Sequence, residues 1–319
     1  MSTAVQPLLE VNNLVQHFPI SRSYTVKAVN GVSFHINPGE TYGLVGESGS
    51  GKTTIGRSII RLHNPTSGSV RFQGREISGK LDSATREMLR ADMQMIFQDP
   101  MASLNPRKKV SDIIGEGLDI HHRTGSRLER EALIGELLKK VGLSPEHAAR
   151  YPHQFSGGQR QRVGIARAMI MDPKFIVADE PISALDVSIR AQVLNLMNKL
   201  KAERNLTYLF IAHDLSVVRF IADRIAVIHH GEIVEIAESE TLFQYPLHPY
   251  TVSLLSTVPM PDPIVERTRK HIDYDPSVLD QSGEKREMRE IRPGHFIFAT
   301  SKEMEGYEAK IAQLEKERA

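Results

Sequence analysis

Near the start of the chain the apolar positions fall in short runs closed by turn residues. Residues 8–18 and 32–36, rich in Val, Ile, Leu and Phe, read as strands. Asn37-Pro-Gly39 turns the chain into a second apolar stretch, Thr41-Tyr-Gly-Leu-Val45. A Gly/Ser loop follows at once, and a helix is expected over 52–62. Strand, glycine loop and helix in that order open an α/β nucleotide-binding unit. Residues 175–178 and 208–212 are continuous apolar runs of the length expected for buried parallel strands. Between them Ile189, Val193, Leu196, Met197 and Leu200 recur at helical spacing, so 188–204 supplies a crossover helix.

The middle of the chain changes period. From about 105 to 170 the pattern is helical, over 110–118, 128–141, 146–151 and 157–171. A helical block between two strand-rich halves points to an inserted subdomain. After His248-Pro-Tyr-Thr251 come Pro259, Pro261 and Pro263 and a charged stretch, so 258–292 reads as an extended connector. Thr300 and Glu303 have the spacing of a capping box, and Met304, Tyr307, Ile311 and Leu314 share one face of a last short helix. That helix reads as a small packing element on the domain surface. The expected division is a domain over 1–257 and a C-terminal extension over 258–319.

Composition narrows the classes. Forty Lys and Arg against 39 Asp and Glu leave a net charge of +1, which argues against a nucleic-acid-binding protein. The chain has no cysteine, which excludes disulfides, thiolate metal sites and cysteine nucleophiles. Its longest apolar run, 208–212, is far below the ~20 residues of a membrane span. The first residues carry no basic stretch followed by an apolar run. The chain is therefore expected to stay in the cytoplasm and to reach a membrane only through a partner.

Three strings carry chemistry. Gly46-Glu-Ser-Gly-Ser-Gly51-Lys52-Thr53 matches the phosphate-binding loop pattern. Its glycines let backbone N–H groups turn inward, and the following helix N-terminus adds positive potential. Gly46, Ser48, Gly49, Ser50, Gly51, Lys52, Thr53 and Thr54 are the expected phosphate contacts. Lys52 would reach the β- and γ-phosphates and the Thr53 hydroxyl would ligate Mg²⁺. The run 175–178 ends in Asp179 and Glu180, at the strand end where open α/β sheets place ligands. Asp179 would hold the Mg²⁺ hydration shell, and Glu180 would activate the attacking water. Alone, such a pair is also common in solvated turns. Ser156, Gly157, Gly158 and Gln159 stand before a long helical run, where a hydroxyl and open N–H groups suit an anion. In isolation the same string is a plain helix start.

Taken together, these strings resemble the ATP-binding cassette (ABC) ATPases, whose signature reads L-S-G-G-Q; Phe155 stands here for the usual Leu. The likeness runs in order along nearly 250 residues. Gln98, in Met95-Ile-Phe-Gln98-Asp-Pro, resembles the Q-loop glutamine, which implies a catalytic and Mg²⁺-binding role. Ser183-Ala-Leu-Asp186 resembles the D-loop, and Asp186 joins the implied nucleotide contacts. His213 resembles the switch histidine. An upstream aromatic stacks on adenine in this family; Tyr24 is the candidate and Phe18 the alternative. The implied fold is a P-loop NTPase core with an antiparallel β subdomain and an inserted α-helical subdomain.

The resemblance also implies a mode of action. One phosphate loop and one signature segment lie over a hundred residues apart, and in the family the loop of one subunit meets the signature of another. Two ATP molecules would then sit in a head-to-tail dimer that opens on hydrolysis. Three strings resemble the oligopeptide/dipeptide importers: Val26-Lys-Ala-Val-Asn-Gly-Val-Ser33, Phe97-Gln-Asp-Pro-Met-Ala-Ser-Leu-Asn-Pro106, and His248-Pro-Tyr-Thr251 with Leu254-Leu255 and Pro259. They imply a peripheral subunit on the cytoplasmic face of the membrane. Its partners would be two permeases, a second ATPase subunit and, indirectly, a solute-binding protein. Oligosaccharide or nickel cargo, or a non-transport ABC ATPase, are the alternatives. The cysteine-rich C-terminal segment of many members is absent, so its iron–sulfur cluster is not carried over.

Overall fold

The computed structural model describes residues 6–258 and 271–318. Two sheets organise them. The smaller is antiparallel, in the order β2 (Thr25–Ile36), β1 (Leu9–Pro19), β4 (Ser67–Phe72) and β5 (Arg75–Glu76). The larger is mixed. Its parallel part runs β9 (Arg224–His229), β3 (Thr41–Val45), β8 (Thr207–Ala212), β7 (Phe175–Asp179) and β6 (Met93–Ile96). Three antiparallel strands extend it beyond β9: β10 (Glu232–Glu238), β12 (His295–Ala299) and β11 (Glu287–Arg292).

The central strands β3, β7 and β8 are buried at every position, and mostly apolar, because both of their faces are covered. On β8, Tyr208, Phe210 and Ala212 face one core, and Leu209 and Ile211 face the other. The first core continues through α7 (Val187–Arg204) and α8 (Leu215–Ile221) into the helical insert. That insert contains α3 (Pro100–Ser103), α4 (Val110–Ile120), α5 (Arg127–Lys140) and α6 (Gly157–Met169), close to the expected bounds. The second core lies between the two sheets and takes Ile55 and Ile59 of α1 (Lys52–Ile59). The sandwich therefore has the expected architecture.

Two expectations are corrected. Residues 146–151 do not form an α-helix; Pro145–Ala149 is a single 3-10 turn, and Pro152 disfavours helical backbone at Tyr151, which closes the run. The expected connector 258–292 ends earlier, since β11 pairs with β12 from Glu287 onwards. Its charged residues are tolerated because β11 is the sheet edge, while Met288 and Ile291 pack inward. Pro259, Pro261 and Pro263 lie outside the described residues. The last helix, α11 (Ser301–Arg318), is longer than expected but begins with the foreseen capping box. The Glu303 amide donates to Thr300 Oγ1 at 3.2 Å, and the Thr300 amide to Glu303 Oε2 at 2.8 Å. Tyr307 and Ile311 then pack on Ile297 and Ala299 of β12.

Candidate functional site

Strand β3 ends in the glycine loop, and α1 begins at Lys52, so the loop turns the chain over the top of the sheet. Gly51 takes φ +106°, and a side chain there would run into the Ala28 carbonyl, so only glycine fits this turn. Lys52 is buried at 4% exposure. Its ammonium donates to the Gly46 and Glu47 carbonyls, each at 2.7 Å, and folds back across the loop. Burial pulls that ammonium below the usual lysine range, and Glu180, Asp179 and Glu47 oppose the shift.

Strand β7 delivers the two carboxylates to the same end of the sheet. Asp179 is 1% exposed and accepts a hydrogen bond from Thr53 Oγ1 at 2.8 Å. Burial pushes its carboxyl above the usual range, against the pull of the Thr53 hydroxyl and the Arg57 guanidinium. Glu180 adopts φ +44°, a left-handed conformation that costs a non-glycine residue roughly 1 kcal/mol or more. That turn presents the carboxylate to two side chains from separate elements. Gln98 Nε2, after β6, donates to Glu180 Oε2 at 2.9 Å. His213 Nδ1, after β8, reaches the same oxygen at 3.1 Å, which places a proton on Nδ1.

These residues border one open groove of about 900 Å³. Ser48, Gly49, Gly51, Lys52, Thr53, Thr54, Gln98, Glu180 and His213 line it. Asp179 stands behind Thr53, and Gly46 and Ser50 are buried beneath the loop. Sequence reasoning named neither Glu47 nor His230 as part of this wall, nor Leu254 and Thr257. Val26, Lys27 and Ala28, from the string that resembles the peptide importers, also border the groove. Tyr24, 60% exposed, lies two residues from Val26 and is not among the lining residues. Phe18 pairs with Val26 and packs edge-on against the His63 ring.

The signature segment is elsewhere. Ser156 and Gly157 are exposed and do not border the groove. Ser156 caps α6, receiving the Gln159 amide at 3.3 Å while its own amide donates to Gln159 Oε1 at 3.1 Å. Gly158 lets α6 approach α7 closely; a Cβ there would stand 2.5 Å from Ile189 Cγ2. Asp186, exposed, begins α7 next to this segment.

The donor set suits a hard cation. Thr53 offers a hydroxyl, Asp179 a buried carboxylate and Gln98 an amide, which are the oxygen ligands Mg²⁺ accepts alongside phosphates and water. Among the described residues no cluster of three or more His, Asp or Glu side chains could hold a metal ion by itself.

A second groove, of about 740 Å³, lies between the main sheet and the helical insert. Leu89, Met93, Phe97 and Ile113 give it an apolar floor, and Arg61, Lys80, Arg86, Arg90 and Arg167 surround it against Glu116. Phe97, immediately before Gln98, carries the Arg167 guanidinium 5.4 Å above its ring.

The ABC transporter family matches residues 29–183, and the oligopeptide/dipeptide transporter C-terminal region matches 234–283. The oligopeptide transport ATP-binding protein of Bacillus subtilis is 57% identical over 303 residues, 95% of this chain and 99% of that protein. The chain belongs to the ABC transporter ATP-binding proteins, in the oligopeptide/dipeptide branch. The ABC ATPase is 57% identical to the oligopeptide transport ATP-binding protein of Streptococcus mutans, over 95% of this chain and 98% of that one. It is 55% identical to the dipeptide transport ATP-binding protein of Lactococcus lactis, covering 96% and 98%. Among solved structures, a dimeric ATP-binding cassette in a post-hydrolysis state with ADP and phosphate superposes with TM-score 0.66 at 30% identity, covering 72% of this chain and 98% of that one. Among the described residues no helix is long and apolar enough to cross a membrane.

Proposed function

We propose that this ABC ATPase powers the import of oligopeptides or dipeptides as a peripheral subunit on the cytoplasmic face of the membrane. The observation that carries the cargo is the likeness, over almost the whole chain, to proteins named for oligopeptide and dipeptide transport. The working division is an ATP-binding domain over 1–257, with the helical insert, and a C-terminal extension over 258–319.

In this reading ATP lies in the groove over the phosphate loop. Gly46, Ser48, Gly49, Ser50, Gly51, Thr53 and Thr54 shape and line its phosphate seat, and the Lys52 ammonium swings from its own loop carbonyls to the β- and γ-phosphates. Mg²⁺, when bound, neutralises charge on the phosphate oxygens; Thr53, Asp179 and Gln98 would hold it. Glu180 takes the proton of the attacking water. Gln98 and His213 both hold Oε2, which leaves Oε1 free for that proton and fixes the carboxylate in its strained turn. Tyr24 stacks on the adenine ring from the hairpin above Val26.

Ser156, Gly157, Gly158, Gln159 and Asp186 complete the site of a second subunit. Ser156, Gly157 and Asp186 are exposed and none of the five borders the groove of its own chain, which supports that division of labour. The basic groove beside Phe97 takes a short acidic segment with an apolar face from one of the two permeases, so closure around ATP reaches the membrane through Gln98. A solute-binding protein delivers the peptide from the far side. The experiment is uptake of a labelled tripeptide in cells lacking this subunit. Uptake restored by the natural chain and not by Glu180→Gln supports the reading. Undiminished tripeptide uptake without the subunit, with loss of sugar or nickel uptake, overturns the cargo.

A further inference from the structure

The His248-Pro-Tyr-Thr251 string is unexplained by the nucleotide chemistry, yet its tyrosine touches the phosphate loop. His248 Nδ1 accepts the Tyr250 amide at 3.1 Å, and Pro249 occupies the first position of the helix α10 (Pro249–Ser256). This cap aims Tyr250 into the protein, where its ring is 1% exposed. The tyrosine oxygen accepts a hydrogen bond from the Glu47 amide at 3.0 Å, across 203 residues of sequence. Glu47 is where β3 gives way to the loop, and its carbonyl is one of the two that hold Lys52. The Gly46–Glu47 peptide unit is thus held by Tyr250 at its N–H and by the Lys52 ammonium at its Gly46 carbonyl.

The frame around Tyr250 is shared by His229 of β9, whose ring lies 4.1 Å from the Tyr250 ring, and the C-terminal extension. The Tyr274 ring packs edge-on against Tyr250 at 5.3 Å and against His229 at 5.0 Å. The chain before it is tied to α10, where the Ile272 amide donates to Ser256 Oγ at 3.0 Å. Farther along, His295 of β12 reaches the buried Glu235 carboxylate at 2.8 Å. The same carboxylate accepts the Leu247 and His248 amides, each at 3.0 Å. The extension therefore fixes both the start of α10 and the ring of Tyr250.

We propose that Tyr250 is a positioning residue for the phosphate loop, and that Tyr274 of the C-terminal extension holds it in place, so the extension contributes to nucleotide affinity. This rests on the reading of the loop as the ATP seat. The hydroxyl and the ring do separate jobs. The hydroxyl fixes the Glu47 peptide so that the loop is already shaped for phosphate; the Tyr274 ring denies Tyr250 room to move away. Neither residue borders the water-activating trio of Gln98, Glu180 and His213, so affinity changes while the chemical step does not.

The experiment titrates a fluorescent ATP analogue against the full chain and measures steady-state ATP hydrolysis. The set is the natural protein, Lys52→Ala, Tyr250→Phe, Tyr274→Ala and Tyr274→Phe. Tyr250→Phe keeps the buried ring and removes only the oxygen. Loss of one hydrogen bond of this kind corresponds to about fivefold in affinity, or about 1 kcal/mol. Kd and KM are expected to rise by about that factor in Tyr250→Phe and Tyr274→Ala, with kcat kept within about twofold and with Tyr274→Phe restored to the natural value. If Lys52→Ala binds as tightly as the natural chain, the ATP seat itself is wrong. If Lys52→Ala loses affinity while Tyr250→Phe keeps it, the seat stands and the positioning role falls. A drop in kcat and melting temperature at unchanged Kd also overturns the role, because a merely structural tyrosine would behave so. Unaltered affinity in Tyr274→Ala refutes the contribution of the extension.

Discussion

Replacing Glu180 by Gln isolates one proton from everything else the residue does. The side chain keeps its size, and Gln meets the same left-handed backbone penalty as Glu at φ +44°. The amide oxygen can still accept from Gln98 Nε2, now 2.9 Å from Oε2, or from His213 Nδ1 at 3.1 Å. Stability is therefore expected to stay within about 1 kcal/mol, since the side chain is partly accessible and no buried atom is left without a partner. What is lost is a base. General-base contributions of about 10²–10⁴ in rate correspond to roughly 3–5 kcal/mol on the barrier. Phosphate release at saturating ATP is expected to fall by that factor, while the analogue titration gives an unchanged Kd. With hydrolysis stopped, gel filtration in ATP and Mg²⁺ is expected to show a persistent dimer. A kcat within tenfold of the natural protein, with binding intact, would refute Glu180 as the base and return the role to water alone.

Other outcomes follow from the packing. Gly158→Ala puts a Cβ 2.5 Å from Ile189 Cγ2, so α6 and α7 must separate, at a cost of about 1–3 kcal/mol in urea unfolding and with weaker ATP-driven dimerisation. Unchanged unfolding would show that this helix contact is slack. Burial pushes the His248 imidazole down to about 4, partly offset by Glu235. The unfolded chain takes up that proton near pH 6.5 and the folded chain only near 4, so stability is lost as pH falls through this window, by up to about 3 kcal/mol. His248→Asn, which keeps an acceptor for the Tyr250 amide, is expected to flatten that loss between about pH 7 and 4.5; an identical slope in both proteins counts against it. Arg286→Ala removes the 2.9 Å ion pair with the largely buried Glu303 carboxylate, which also caps α11. Hydrogen exchange in 301–318 is expected to speed up, and unchanged exchange there would show that the ion pair does not hold the start of α11.

Much of this site can be read in the sequence because its parts are local. The strand, glycine loop and helix around Lys52 occupy one continuous stretch, and β7 announces itself by an apolar run ending in Asp179 and Glu180. The capping box of α11 is legible for the same reason: Thr300 and Glu303 are three residues apart. What stays hidden depends on distant partners. Glu235, a carboxylate inside β10, looks like a break in a strand until His295 arrives from 60 residues away. The charged strand β11 reads as a connector because an edge strand needs little apolar surface. Tyr250 stood in a visible motif, but its bond to Glu47 spans almost two-thirds of the chain. The meeting of Gln98 and His213 on one oxygen of Glu180 could be guessed only from the ordered set of motifs, since the three residues end different strands.

The central claim is that this chain is the ATP-driven engine of a peptide importer. It is tested most directly by isolating the tagged Glu180→Gln protein from native membranes in ATP and Mg²⁺ and identifying what comes with it. The expected result is two multi-span permeases, a cassette subunit of the same family and a peptide-loaded solute-binding protein. Recovery with ribosomes or DNA-repair proteins, or with a single multi-span exporter and no binding protein, would contradict the account.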